Sequence, residues 1–203
     1  MDRRSESDGS SQRRTVWRIK THVEVKVGAA DYDGGVSLEV KNFVVHPDYN
    51  PETCEHDVAL VLVDNTQPAA VIPLATASTQ IAIGENLTVT GWGDTLEGAN
   101  ERSDQLLKGT VPYVVNETCN GPESYNGEVL PGMICAGSAS GGTDACPGDS
   151  GGPLTKGNNP DNAILVGIVS SGKGCGRRLK YGVYTRVSSE REWIMKVMSK
   201  FGD

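Results

Sequence analysis

At 203 residues, with 25 Gly, 10 Pro and many short β-branched segments, the chain is long enough for one well-packed domain and points to an all-β fold. Its formal net charge of −7 argues against nucleic acid as a partner. No apolar stretch approaches membrane-spanning length, so no membrane partner is expected. The charge is unevenly spread: residues 1–20 hold six Arg/Lys against three acids, leaving −10 for the remainder.

Residues 1–22 are polar and charged, have no apolar core that could act as a signal peptide, and read as a disordered or irregular leader. From Val23 the pattern becomes strands and turns. Val23 to Val27 alternates with period two, and Gly28 with Asp31 to Gly35 makes a turn. Val36 to Val45 reads as a second strand, closed by the surface loop His46-Pro-Asp-Tyr-Asn-Pro51. Asp57 to Val63 is an apolar run suited to a buried strand. Asn86 to Thr90 leads into Gly91-Trp92-Gly93, and Gly109 to Val115, Ala163 to Ser170 and Gly182 to Val187 are further strands. Ser189-Glu-Arg-Glu192 has the pattern of a capping box. Trp193, Ile194, Val197, Met198 and Phe201 then recur at helical spacing, which predicts an amphipathic C-terminal helix docked on the body.

The chemistry concentrates in Asp144-Ala-Cys-Pro-Gly-Asp-Ser-Gly-Gly-Pro-Leu154. Ser150 sits in a glycine-dense turn that can aim its hydroxyl into a cleft. The same turn can aim the amides of Gly148 and Ser150 at one point, forming an oxyanion hole. No metal-ligand spacing and no phosphate-cradling loop is present, so no metal or cofactor is expected.

The nucleophile segment closely resembles that of trypsin-like, chymotrypsin-fold serine proteases. Val27-Gly-Ala-Ala-Asp-Tyr32, His46-Pro-Asp-Tyr-Asn50, His56-Asp-Val-Ala-Leu60, Gly91-Trp-Gly93 and Gly182-Val-Tyr-Thr-Arg-Val187 resemble other landmarks of the family, in its order. The resemblance runs from residue 23 to the end. It implies two antiparallel β-barrels of the six-stranded type, the first incomplete, followed by a helix. It also implies hydrolysis of protein or peptide bonds after Arg or Lys through an acyl-enzyme. Ser150 would be the nucleophile and Asp57 the orienting acid. Asp144 would lie at the base of the specificity pocket between walls formed by Gly172 and Gly182. Cys119 would pair with Cys135 and Cys146 with Cys175, leaving Cys54 over. The cysteines and the resemblance imply an extracellular protein, which the sequons at Asn86 and Asn116 also fit. Oligomeric state is not specified.

Departures from the family pattern bear on activity. The family's histidine lies in an Ala-Ala-His-Cys string that does not occur here. His22 is the nearest candidate, but it precedes Val23 and stands six residues before Gly28. His56 would sit in a strand beside Asp57 and face the other way. Arg14-Thr-Val-Trp17 lacks the glycines that let a freed terminus thread inward, which would leave the Asp149 carboxylate without its cation. Such a loss costs about 3–5 kcal/mol when the pair is buried. Ser171 stands where the family usually has Trp, and Pro147 replaces a residue with an amide. Tyr181 resembles a variant associated with sodium sites, but packing is the favoured reading of it. The expectation is a truncated or degenerate protease domain with impaired hydrolysis. The alternatives are a non-catalytic homologue acting as a binding or inhibitory module, and a chain whose first barrel cannot close.

Overall fold

A computed structural model describes residues 23–64, 70–157 and 159–201. Ten strands and two helices follow in chain order. They are β1 (Val25–Val27), β2 (Val36–Leu38), β3 (Val40–Val45), β4 (Ala59–Val63), β5 (Asn86–Gly91), β6 (Leu107–Val114), α1 (Asn116–Cys119), β7 (Met133–Ala136), β8 (Pro153–Lys156), β9 (Ile164–Ser171), β10 (Gly182–Arg186) and α2 (Val187–Met198).

The last six strands close into an antiparallel barrel in the order β10-β7-β6-β5-β8-β9, with β9 returning to pair with β10. Alternation of residue type explains the closure. Leu87, Val89, Val111, Ile134, Leu154, Val166 and Tyr184 all point inward and are almost fully buried. The Cβ position of Gly167 lies 3.0 Å from Tyr184 Cβ, so glycine there lets β9 approach β10 closely.

The first half is not a barrel among the described residues. β1 pairs with β2 and β3 with β4, giving two separate two-stranded sheets. The apolar run at 57–63 was expected to be a buried strand, yet Val61 on β4 is 37% exposed and Phe43 on its partner β3 is 41% exposed. A two-stranded sheet has only one neighbour to pack against, so part of its apolar surface stays open. Glu39 interrupts the expected continuous strand from Val36 to Val45, dividing it into β2 and β3.

Each small sheet is tied to the barrel by specific bonds. At the β1–β2 sheet, Tyr32 N–H donates to Asp104 O (2.8 Å), Leu106 N–H to Ala30 O (2.7 Å) and Trp92 Nε1–H to Ala30 O (2.8 Å). The loop between β3 and β4 packs its Cys54 against a second apolar cluster built around Cys119, Tyr125, Met133, Cys135 and Tyr181. Tyr181 is 4% exposed, which is a packing role.

Three local expectations are corrected. His46 is buried rather than on a surface loop, because its ring lies 4.6 Å from Trp193 and stacks on His56. The Ser189–Glu192 capping box does not form: α2 begins two residues earlier, and Glu190 turns inward to the histidines instead. Asn116 Nδ2 donates to Leu130 O and Met133 O, so a glycan on that nitrogen, which leaves it one N–H, would break at least one of these bonds. The expected leader, residues 1–22, lies outside the described residues.

The barrel core is expected to carry most of the stability. Leu154→Ala, at a fully buried position, should lower the unfolding free energy by about 2–5 kcal/mol in urea denaturation.

Candidate active site

The turn carrying Ser150 is shaped by the acid before it. Asp149 Oδ1 accepts a hydrogen bond from the Gly93 amide (2.8 Å), and Oδ2 accepts one from the Cys146 amide (2.9 Å). A Cβ on Gly93 would stand 2.6 Å from Asp149 Oδ2, and one on Gly91 would also collide with the carboxylate. The two glycines of Gly91-Trp92-Gly93 are therefore required by close approach. Each oxygen of the Asp149 carboxylate thus has a charge-assisted bond from the backbone.

Gly152 N–H closes the turn onto Asp149 O (2.8 Å), and Gly151 N–H fastens it to Val169 O on β9 (2.9 Å). Gly148 adopts φ +100°, a conformation open chiefly to glycine. The Cys146–Cys175 disulfide closes the loop around this segment, and Cys119–Cys135 ties α1 to β7. Cys54 is unbonded. Ser150 is exposed. Its hydroxyl, its amide and the Gly148 amide have no protein hydrogen-bond partner among the described residues.

Beside Ser150 opens a slot of about 370 Å³ whose lining includes Asp144, Ser170, Gly172, Gly182 and Tyr184. Asp144 Oδ1 accepts from the Ala145 amide (2.8 Å) and Oδ2 from the Gly176 amide (3.0 Å). Burial pushes its carboxyl above the ordinary value, against the pull of those two amides. A Cβ on Gly182 would lie 2.7 Å from Asp144 Oδ1 and 2.9 Å from the Tyr184 hydroxyl, so any side chain there would block the acid. Tyr125 braces the opposite wall by donating to Tyr181 O (2.6 Å) and accepting from the Lys173 amide (3.1 Å). At the mouth, Glu97 pairs with Arg177 (2.7 Å).

Two residues of the slot escaped the sequence reading. The Tyr184 hydroxyl is buried with no protein partner among the described residues. A water or a bound cationic group in the slot would satisfy it. Ser170 lines the slot and donates to Asp57 Oδ2 (2.7 Å). Thr185 Oγ1 holds the Asp57 main-chain oxygen (2.8 Å). Ser170 thus links Asp57 to the same cleft as Ser150. The signal was its place in Val169-Ser170, at the end of the strand that walls the slot.

The histidines do not join this group. His56 lies in a turn with φ +53°, two residues short of β4, and not in a strand as expected. Its Nδ1 faces Glu190 (3.0 Å), and His46 Nε2 lies 3.5 Å from the same carboxylate. Among the described residues no imidazole is hydrogen-bonded to Ser150 or Asp57. His22 lies outside the described residues.

A six-stranded barrel, two smaller sheets and a C-terminal helix, with a glycine-walled acidic slot beside an exposed serine, define an all-β architecture consistent with the chymotrypsin fold. The chain belongs to the trypsin family of serine proteases, whose profile matches residues 10–194. It is 41% identical over 174 residues to coagulation factor XII of Sus scrofa, covering 79% of this chain and 28% of that protein. It is 41% identical over 172 residues to Trypsin eta of Drosophila melanogaster, covering 82% of this chain and 63% of that one. Transmembrane protease serine 11C of Mus musculus is 40% identical over 161 residues, with 76% and 37% covered. The chain therefore spans less than two thirds of the length of each of these relatives.

The raised Asp144 pKa fixes a pH dependence. A cation entering the slot would pair with the ionised carboxylate, so affinity for benzamidine should fall by about tenfold per pH unit below that pKa. Calorimetric titration should show the fall beginning at a higher pH than an unperturbed aspartate would give. The contribution of protonated Asp144 is present below the unfolded pKa and lost as pH rises through the folded one, so Asp144→Asn should remove this group's part of the fall in melting temperature with rising pH.

Proposed function

We propose that residues 23–203 form a serine protease domain whose slot captures an Arg or Lys side chain of a protein or peptide. Hydrolysis of the adjoining bond is impaired for want of a proton acceptor. The observation that carries this reading is Asp144 at the slot between Gly172 and Gly182, each without a side chain to obstruct a long cation. A guanidinium or ammonium reaching Asp144 would form a charge-assisted hydrogen bond and offset the cost of keeping that carboxylate buried.

The chemistry follows from the same groups. Attack by Ser150 Oγ on the carbonyl carbon forms a C–O bond and expels the amine. The hydroxyl proton must go to a base and then to the leaving nitrogen. In this reading the Gly148 and Ser150 amides receive the oxyanion, and Asp57, held by Ser170, orients the base. With no imidazole bonded to either residue among the described ones, Ser150 keeps its proton. Loss of the imidazole alone costs about a millionfold in turnover in a serine protease. The domain then serves as a binding or inhibitory module, a pseudoprotease that retains its recognition slot. Two disulfides suit secretion into an oxidising compartment.

The competing reading is an active endopeptidase with His22 as base, favoured by the shared placement of Ser150 and Asp57 about Ser170. Hydrolysis of an arginine ester separates the two. Ser150→Ala is expected to leave the rate unchanged, whereas a fall to background on that substitution would establish active catalysis. In parallel, Asp144→Asn should weaken binding of an Arg-containing peptide at least about tenfold by calorimetry. Equal binding would remove the proposed recognition.

A further inference from the structure

Outside the slot lining, the fold gathers three residues that are widely separated in sequence. His46 directly follows β3, His56 precedes β4, and Glu190 lies in the first turn of α2. His56 Nδ1 is 3.0 Å from Glu190 Oε1 and 3.1 Å from Oε2, while His46 Nε2 is 3.5 Å from Oε2. One donor atom from each residue lies within 4.8 Å of the other two. Glu190 is 2% exposed, and no Lys or Arg among the described residues forms an ion pair with it.

We propose that His46, His56 and Glu190 form a binding site for a divalent transition metal ion, with zinc the ion its donors suit best. Two imidazole nitrogens and one carboxylate oxygen make a borderline-soft set of the kind zinc takes, unlike the all-oxygen sets of calcium or magnesium. A metal ion would supply the positive charge that this buried carboxylate lacks. Access exists through His56, whose side chain is 40% exposed, while Trp193 covers His46 from the other side.

The backbone also favours the arrangement. Cys54 and His56 adopt φ +58° and +53°, conformations that non-glycine residues take at some cost, and they hold the loop so that His56 lies over His46. The two rings are stacked at 4.5 Å and 9°, so their nitrogens stand side by side. Coordination requires the exposed His56 ring to tilt from this stack. It also moves the His46 ring proton to Nδ1, ending the 3.2 Å bond which that nitrogen accepts from the Asp48 amide. Because His56 directly precedes Asp57, an ion here would clamp the loop before that acid to α2.

The test uses the whole chain stripped of metal and titrated with zinc chloride by calorimetry, with melting temperature as a second readout. The expected result is saturable binding of one zinc per chain and a raised melting temperature. His56→Ala, at a half-exposed position, and Glu190→Gln should each weaken binding at least about tenfold. His22→Ala and Cys54→Ser should bind as the unsubstituted chain does. Absence of saturable uptake, uptake that His56→Ala leaves unchanged, or uptake abolished by His22→Ala or Cys54→Ser would each overturn the proposal. Should Glu190→Gln fail to fold, His56→Ala and the unsubstituted chain still decide the matter.

Discussion

The carboxylate of Asp149, gripped at one oxygen by the Gly93 amide and at the other by the Cys146 amide, governs the shape of everything around it. It joins the end of β5 to the turn that presents Ser150. Because Gly91 and Gly93 carry no side chains, the acid can lie directly against that strand end. Five residues earlier Asp144 is held in the same manner, by the Ala145 and Gly176 amides. Two acids in one short segment are thus stabilised by backbone dipoles, and the Cys146–Cys175 bridge holds the two sides of that segment together. Fixed donors of this kind need no reorganisation when a ligand arrives.

Asp57 shows how the less regular half of the chain is recruited to the barrel. Its side chain accepts from Ser170 on β9 and its main chain from Thr185 on β10, so both contacts run to the barrel wall. A few residues away, Glu190 draws His46 and His56 toward α2. The loop between β3 and β4 is therefore fastened at two points. One point touches the slot through Ser170, and the other is Glu190 on α2, which is not among the slot's lining residues. The imidazoles of His46 and His56 belong to the second.

Much of this was legible before any coordinates. The Gly148-Asp-Ser-Gly-Gly152 turn, Asp144 six residues before Ser150 and the order of the strands are local or evenly spaced signals, and they pointed to the architecture and the slot. What escaped notice was non-local. Ser189 to Glu192 carries the letters of a capping box, but burying Glu190 against two distant imidazoles wins over a surface cap worth about 1 kcal/mol. His46 read as a loop residue because nothing nearby in sequence announces Trp193 as its neighbour. The run at 57–63 read as a buried strand because its letters are apolar. Burial, however, depends on how many strands stand beside it, which a short window cannot show. Ser170 and Tyr184 drew no attention because small and aromatic residues within strands are ordinary.

The central claim is that the binding slot survives while the serine has no group to remove its proton. Incubation of the folded chain with an organophosphonate at mildly alkaline pH, followed by mass spectrometry of the intact protein, tests this directly. Unmodified protein is the outcome the account requires. A stoichiometric adduct mapped to Ser150 would contradict it, because that reaction proceeds at a useful rate only on an activated hydroxyl.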